Sequence, residues 1–385
     1  MLAICSDLDE TADAQVYAEQ MRFLNTREQT TMGAGVGLEV GNSIYFDMPP
    51  GQFAYWNTDD AGREMARALI RSGHIDCLHS YGDLAASRAH AERALQELEH
   101  HQLALKVWID HAQAPTNFGA DIMQGHGDVP GHAAYHADLT LRHGVRYVWR
   151  GRVTSVIGQN TEANFGGLWR TSAPLASGKT ILKEAAKQML GHAGNEKYRA
   201  HASNRLLQLV QLRNGRTTVE FLRCNPHPAG VDTGDTGAGL GEVLTARFLD
   251  QLVERAGVCL LYTHLGKLPG RIFPAATVRA LHLLKQYSDA SKILVTTTRR
   301  ALDYARMRES STLSIAEDAK PGVVNITCDP AWTSEELQGL TIYAKAVVNE
   351  LHINGRPAPM QRNATEETGC ASVSIPWQPL KFPTI

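Results

Sequence analysis

The sequence predicts an α/β fold: a parallel sheet with helices outside it, followed by a small β-rich region. Three observations predict this. Strand-like and helix-like segments alternate repeatedly, as they do when each strand returns through a helical crossover. The alternation lapses between about residues 150 and 240, which reads as an insertion elaborating one crossover. After about residue 310 short β-like runs take over. The expected organisation is a core domain over 1–310, carrying the insertion at about 150–240, and a β-rich region over 311–385.

The elements follow in order. "LAIC" is an apolar run that stops in "SDLDE", a strand with acidic residues at its C-terminal end. "ADAQVYAEQMRFLN" is helical, and "VGLEVGNSIYF" is β-like with "DMPPGQ" as its turn. "DDAGREMARALIRSG" has a helix start at Asp59 or Asp60 and a stop at Gly73. "HIDCLHS" is the next strand, "LAASRAHAERALQELEHHQL" a long helix, and "ALKVWID" a strand that ends in Asp110 and His111. "YHADLTLRHG" then "VRYVW", "LGEVLTARFLDQLVERAG" then "VCLLYTH", and "PAATVRALHLLKQYSD" then "KILVTTT" repeat the order of helix and strand. The lapse contains "GQNTEANFGGLW", the helical "ILKEAAKQML" and the glycine-rich "HPAGVDTGDTGAGLG". In that last stretch "GAGLG" follows a loop rather than a strand, so it is no dinucleotide fingerprint. "GVVNITC", "LTIYAKAV", "NELHING" and "ASVSIPW" are the β-like runs of the C-terminal region.

A chain of 385 residues, 43% hydrophobic and 20% charged, has apolar material for one large domain and an appendage. A formal net charge of −2 argues against nucleic acid as the main partner. The six cysteines form no CxxC pair, and Cys5, Cys77 and Cys259 sit in apolar runs, as buried thiols do. No segment approaches the roughly 18 apolar residues of a membrane helix. The opening "MLAICSDLDE" lacks a basic stretch followed by a long apolar run, so a cytoplasmic location is expected.

Reactive groups collect where parallel strands end. Asp7 and Asp9, two apart, point to one side of an extended chain. His79 and Asp83, four apart, converge if the chain makes a helical turn or a tight turn imitating one. His264 closes "VCLLYTH". Asp9, His79 and Asp83 together offer three ligands to a divalent metal. Asp7 beside it would take a proton from bound water, and His264 from across the mouth would give one to a leaving group. Each signal alone has a plain structural reading: "DLD" also caps helices, and His264 also fits a satisfied core histidine. Their joint occurrence at three strand ends favours a site. Trp108, Asp110, His111, Asn117, His132, Tyr135 and His136 gather near the third strand end and its loop, and are read either as substrate contacts or as loop-backbone partners.

"SDLDE", "ALIRSGHIDCLHSYGD" and "GVCLLYTHLG" resemble the first, second and last motifs of the polysaccharide deacetylases, the NodB-like carbohydrate esterases, and "ILVTTTRRALDYA" resembles the closing element of their domain. The resemblance covers about residues 1–145 and 240–308. It implies a distorted (β/α)7 barrel with Asp7 as general base, Asp9 and His79 as metal ligands and His264 as general acid. Asp83 stands where the family has its second metal-binding histidine. Two carboxylates and one imidazole make a harder site than usual, so beside zinc the ion expected includes Mn2+, Fe2+, Co2+ and Ni2+. The family's arginine-bearing motif, which orients the base, has no clean match near the third strand. His111 is therefore the better candidate there for a supporting or substrate contact.

The function expected is metal-dependent removal of an N-acetyl group from a sugar or polysaccharide precursor, such as an O-antigen or capsule intermediate. Two alternatives stand beside it: hydrolysis of a non-sugar C–N amide, and a metal-free glycan-binding module of a surface-polysaccharide assembly.

Overall fold

The computed structural model describes residues 1–310, 312–317, 322–330, 332–344, 347–364 and 371–385, and the side chains of Ser6 and Asp9 lie outside what it describes. The described chain divides into two compact units, Met1–Ala301 with Leu380–Ile385, and Leu302–Pro379.

The first unit is mixed α/β. Among the described residues its main sheet has eleven strands. In chain order these are β1 Leu2–Ser6, β2 Asn42–Ile44, β3 Ile75–His79, β4 Val107–Ile109, β5 Tyr147–Trp149 and β6 Val153–Thr154. They continue as β7 Leu207–Gln211, β8 Thr217–Phe221, β9 Arg223–Cys224, β10 Cys259–Thr263 and β11 Val295–Thr296. Neighbours run β6–β9–β10–β1–β2–β3–β4–β5–β8–β7, and β11 pairs with the start of β1. Only β7 and β8 pair antiparallel. The main helices of this unit are α1 Ala14–Asn25, α2 Asp60–Arg71, α3 Arg88–His100, α4 Ala137–His143, α5 Pro174–His192, α6 Ala246–Arg255 and α7 Ala275–Asp289.

The central strands are apolar without alternation because both of their faces are covered. Every residue of β3, β5 and β10 is buried. Apart from α5, the helices pack an apolar face inward, and α1, α2 and α6 start on side-chain caps. Asp13 accepts from the Val16 amide at the start of α1, and Asp59 accepts from Gly62 at the start of α2, both at 2.9 Å. Gly73, just past α2, takes φ +80°, the left-handed conformation that ends a helix. Ala66, Leu69 and Ile70 of α2 and Ala91, Leu95 and Leu98 of α3 turn inward to one continuous core with Leu2, Ile4, Leu78 and Leu261.

The stretch 150–240, expected to be an insertion, supplies β6, β7, β8 and β9 to the main sheet as well as α5. These strands are short, and two of them have only two residues each. Polar and glycine-rich neighbours hide them from a reading based on periodicity. β5 continues into β6 after three residues, and β8 into β9 after one. β5 pairs with β8 and β6 with β9, so the two ends of the strand order are adjacent along the chain.

The second unit is β-rich. Ser314–Glu317, Val323–Thr327, Glu350–Ile353 and Arg356–Pro357 form one sheet, and Thr341–Ala344, Ala371–Ser374 and Gln361–Arg362 another. Val324, Ile326, Leu337, Ile342, Leu351 and Val373 lie in its own core. Five cysteines are free and buried, and Cys370 lies outside the described residues. No described helix is long and apolar enough to cross a membrane.

Candidate active site

Register decides which side chains meet. Ser6 of β1 lies beside Thr263 of β10, so the next residues, Asp7 and His264, leave adjacent strands side by side. The Asp7 Oδ2 to His264 Nε2 distance is 3.4 Å. On the other flank Ile44 pairs with Leu78 and His79 with Ile109, so Tyr45, His79 and the Asp110–His111 pair emerge together. The Tyr45 ring stacks on His79 at 4.1 Å, and the rings of His79 and His111 lie 4.9 Å apart at 78°. His79 Nδ1 is 3.8 Å from Asp7 Oδ1.

Asp7 and His264 each have a partner of opposite charge. Arg223, fully buried in β9, brings Nη2 to 3.9 Å from Asp7 Oδ1. Its guanidinium lies over the Trp149 ring at 4.1 Å, and none of its three nitrogens has a hydrogen-bond partner. Cation–π contact and the nearby carboxylate are what offset the burial of this charge. His264 Nδ1 is 3.2 Å from Asp235 Oδ2, and the Asp235 carbonyl accepts from the His264 amide. Burial pushes the Asp7 carboxyl above its ordinary range against the pull of Arg223 and His264, which makes it a stronger base. Burial disfavours charge on His264, but Asp235 and Asp7 outweigh it and hold the imidazole above its usual range. His79 moves well below its usual range, first through burial and then through the positive neighbours His111 and Arg223, and is neutral.

Arg223 and Asp235 are not legible from motif spacing. Arg223 stands at the end of "TTVEFLRC", inside the stretch read as an insertion. Asp235 lies in the glycine-rich "VDTGDTGAGLG", and that composition was the available signal. The loop runs so close to the strand end that a Cβ on Gly237 would lie 2.3 Å from the Leu265 carbonyl oxygen. Glu10 was also missed. Its Oε1 is 3.2 Å from Lys267 Nζ and 3.8 Å from His111 Nε2, and its buried Oε2 has no hydrogen-bond partner.

The three residues expected to ligate metal fare differently. His79 is in the cluster. The Asp9 side chain lies outside the described residues. Asp83 pairs with His111, Oδ1 to Nδ1 at 2.8 Å. The turn explains this. Ser80, Tyr81 and Gly82 all take positive φ, at 46°, 62° and 105°. The segment is therefore no helical turn. Among the described residues no three His, Cys, Asp or Glu side chains are drawn together as a ready metal site.

The residues expected to touch substrate mostly brace the loop after β4. The Trp108 indole donates to Asp110 Oδ1 at 2.7 Å, and Asp110 also accepts from the Phe118 and Gly119 amides. Asn117 accepts from the His111 amide and donates back to the His111 carbonyl, both at 3.0 Å. His136 is fully buried, with Nε2–H donating to the Thr116 carbonyl and Nδ1 bonded to Thr140 Oγ1, both at 2.8 Å. Tyr135 is half-buried beside Arg88, and His132 is exposed and stacks on His126 at 4.2 Å. Of this set His111 alone has contacts with Glu10, His79 and Tyr45 in the cluster. Comparisons with protein-family models, with curated proteins and with solved structures give no match to this chain.

Proposed function

We propose that the chain is a metal-dependent hydrolase of an amide C–N bond, removing an N-acetyl group from a sugar or polysaccharide precursor. The observation that carries this reading is the Asp7–His264 pair, a buried acid and base 3.4 Å apart with separate charged partners, Arg223 and Asp235. Amide hydrolysis needs both functions, because an amine leaves only when protonated. The same reading takes the main sheet as a distorted (β/α)7 barrel, with β5–β6 and β8–β9 each counted as one bent strand, β7 and β11 outside the ring, and the cluster at the C-terminal strand ends.

The residues present fit a divalent cation. Asp7 Oδ1 and Glu10 Oε2 are buried oxygens without a donor, and His79 Nδ1 lies 3.8 Å from Asp7 Oδ1. Asp9 and His79 would hold the ion. When bound, it supplies polarisation of the amide carbonyl and of water. Asp7 accepts a proton from the attacking water as the new C–O bond forms. His264 gives its proton to the nitrogen as the C–N bond breaks, leaving a carboxylic acid and a free amine. The short Asp7–His264 separation then returns the proton from carboxylate to imidazole.

The test uses full-length protein loaded with Zn2+, Co2+, Mn2+ or Ni2+ and offered N-acetylated oligosaccharides. Acetate and primary amine should appear in equal amounts, and His264→Ala should slow the release of both about a hundred-fold or more. Formate from formamido substrates in place of acetate would redirect the reading to a non-sugar amide. Glycan binding with no hydrolysis on any N-acyl substrate would replace it with a binding module.

A further inference from the structure

We propose that the outward face of α5 docks the protein on an anionic lipid surface. A surface helix ordinarily turns its apolar side chains inward. In α5 the buried residues are Ser177, Thr180, Glu184 and Gly191, while Leu175, Leu182 and Met189 are 90%, 72% and 72% exposed. At 3.6 residues per turn these two sets lie on opposite sides of the helix. The inward polar groups are satisfied within the fold. Glu184 accepts from Thr154 Oγ1 and from Lys187 Nζ, both at 2.7 Å. Thr180 Oγ1 donates to the Pro228 carbonyl at 2.7 Å, and Ser177 Oγ accepts from the Arg170 amide at 3.0 Å. These bonds hold the helix in this rotation and leave an apolar stripe in water over its length of about 28 Å. Exposed apolar side chains gathered in this way mark a surface that binds.

Charge says what it binds. Lys179 and Lys183 are exposed along one edge of the stripe, with Leu190 on the same edge. Glu184 is the only acidic residue of α5, and it is buried. Just before the helix stand Trp169, 46% exposed, and Arg170, and both Arg170 and Arg247 donate to the Trp169 carbonyl. Among the described residues none of these four cations has a carboxylate partner. A line of long apolar side chains, an aromatic at one end and unpaired cations along the edge suit a helix lying in the headgroup region of a bilayer. Its leucines enter the acyl boundary, and its ammonium groups stay at the phosphates. A second copy of the chain fits less well. The seven-residue spacing would let two α5 helices cross antiparallel about Leu182, but the lysine edges would then face each other with no acid between them.

The test is flotation of full-length protein with vesicles of phosphatidylcholine alone, or of phosphatidylcholine mixed with phosphatidylglycerol. Wild type should float with the mixed vesicles, more weakly with phosphatidylcholine alone, and less as salt rises. Leu182→Gln and Met189→Gln should each weaken partitioning about ten-fold or more. Lys179→Gln and Lys183→Gln should each weaken it about five-fold, on the mixed vesicles only. All four positions are exposed, so the thermal unfolding of each variant should match wild type. Wild type that floats with neither vesicle overturns the inference, as does equal flotation with both kinds. Binding that the Leu182 and Met189 variants retain in full also overturns it. Sedimentation equilibrium without lipid checks the other occupant: a dimer that Leu182→Gln dissociates, with no flotation, would assign the face to a second copy. Neither metal nor substrate enters the assay, so failure here leaves the proposed function as it stands.

Discussion

At the scale of single residues, the site is defined by what faces Asp7 and His264. Replacing either, as Asp7→Asn or His264→Ala, is expected to cut kcat on an N-acetylated substrate about a hundred-fold or more. The partners set the pH range. His264 must carry its proton to act, so activity falls as pH rises through its pKa. Asp235 holds that pKa up. Asp235→Asn should therefore move the basic limb of the kcat/KM profile to lower pH. Arg223 acts on the other limb, because a nearby cation favours the ionised carboxylate of Asp7. Arg223→Met removes that pull while keeping much of the side-chain bulk, and should move the acidic limb to higher pH. An unchanged profile in both variants would detach these groups from the reaction. Asp7, His79 and His264 were legible in the sequence because each sits at the end of an obvious apolar strand. Arg223 and Asp235 were not, because one closes a two-residue strand and the other lies in a loop with no periodicity.

At the scale of elements, the turn after β3 matters most. Its three successive positive φ values include two residues with side chains, Ser80 and Tyr81, which adopt this conformation only where the surroundings enforce it. Tyr81 is buried, with its hydroxyl 2.7 Å from Thr140 Oγ1, and Thr140 in turn bonds His136. A Cβ on Gly82 would lie 2.1 Å from the Asp47 carbonyl oxygen at φ +105°. Gly82→Ala should cost about 2 kcal/mol or more in chemical denaturation, since neither strain nor clash can relax without moving the turn. His136 gives a second check. Burial lowers its pKa to about 4, below the roughly 6.5 of an unfolded chain. Between those values the unfolded state takes the proton first, so the stability this residue lends is lost as pH falls. The stability gap between wild type and His136→Gln should therefore narrow by up to about 1.4 kcal/mol per pH unit from pH 6.5 to 4. Spacing alone suggested a right-handed turn for "HSYGD". Nothing in five letters announces a left-handed one except Gly82, and its requirement comes from a distant backbone oxygen.

At the scale of the molecule, the chain leaves its first unit at Ala301, builds the second, and returns to the first for its last six residues. The alternation of strands and helices, the β-rich C-terminal region and its runs at Val323–Thr327, Thr341–Ala344, Glu350–Ile353 and Ala371–Ser374 were all legible. The return was not, because "LKFPTI" has no period and its place is set by tertiary contact alone. Phe382 packs edge-on against His74 at a centroid distance of 5.0 Å, and Phe382 and Ile385 lie against the main core. The Leu380 amide donates to Glu39 Oε2 at 2.9 Å. Truncation after Pro379 should then destabilise the first unit by about 2 kcal/mol, the scale of two partly buried apolar side chains. It should also release His74. Burial, with help from Arg300, lowers the pKa of His74 to about 4. Water reaching the ring in place of Phe382 removes much of the desolvation that favours the neutral form. In the truncated chain the His74 pKa should rise toward 6.5, read from its imidazole proton shifts by NMR titration. A truncated protein with unchanged stability and an untouched His74 titration would show that the six-residue return is incidental to the first unit.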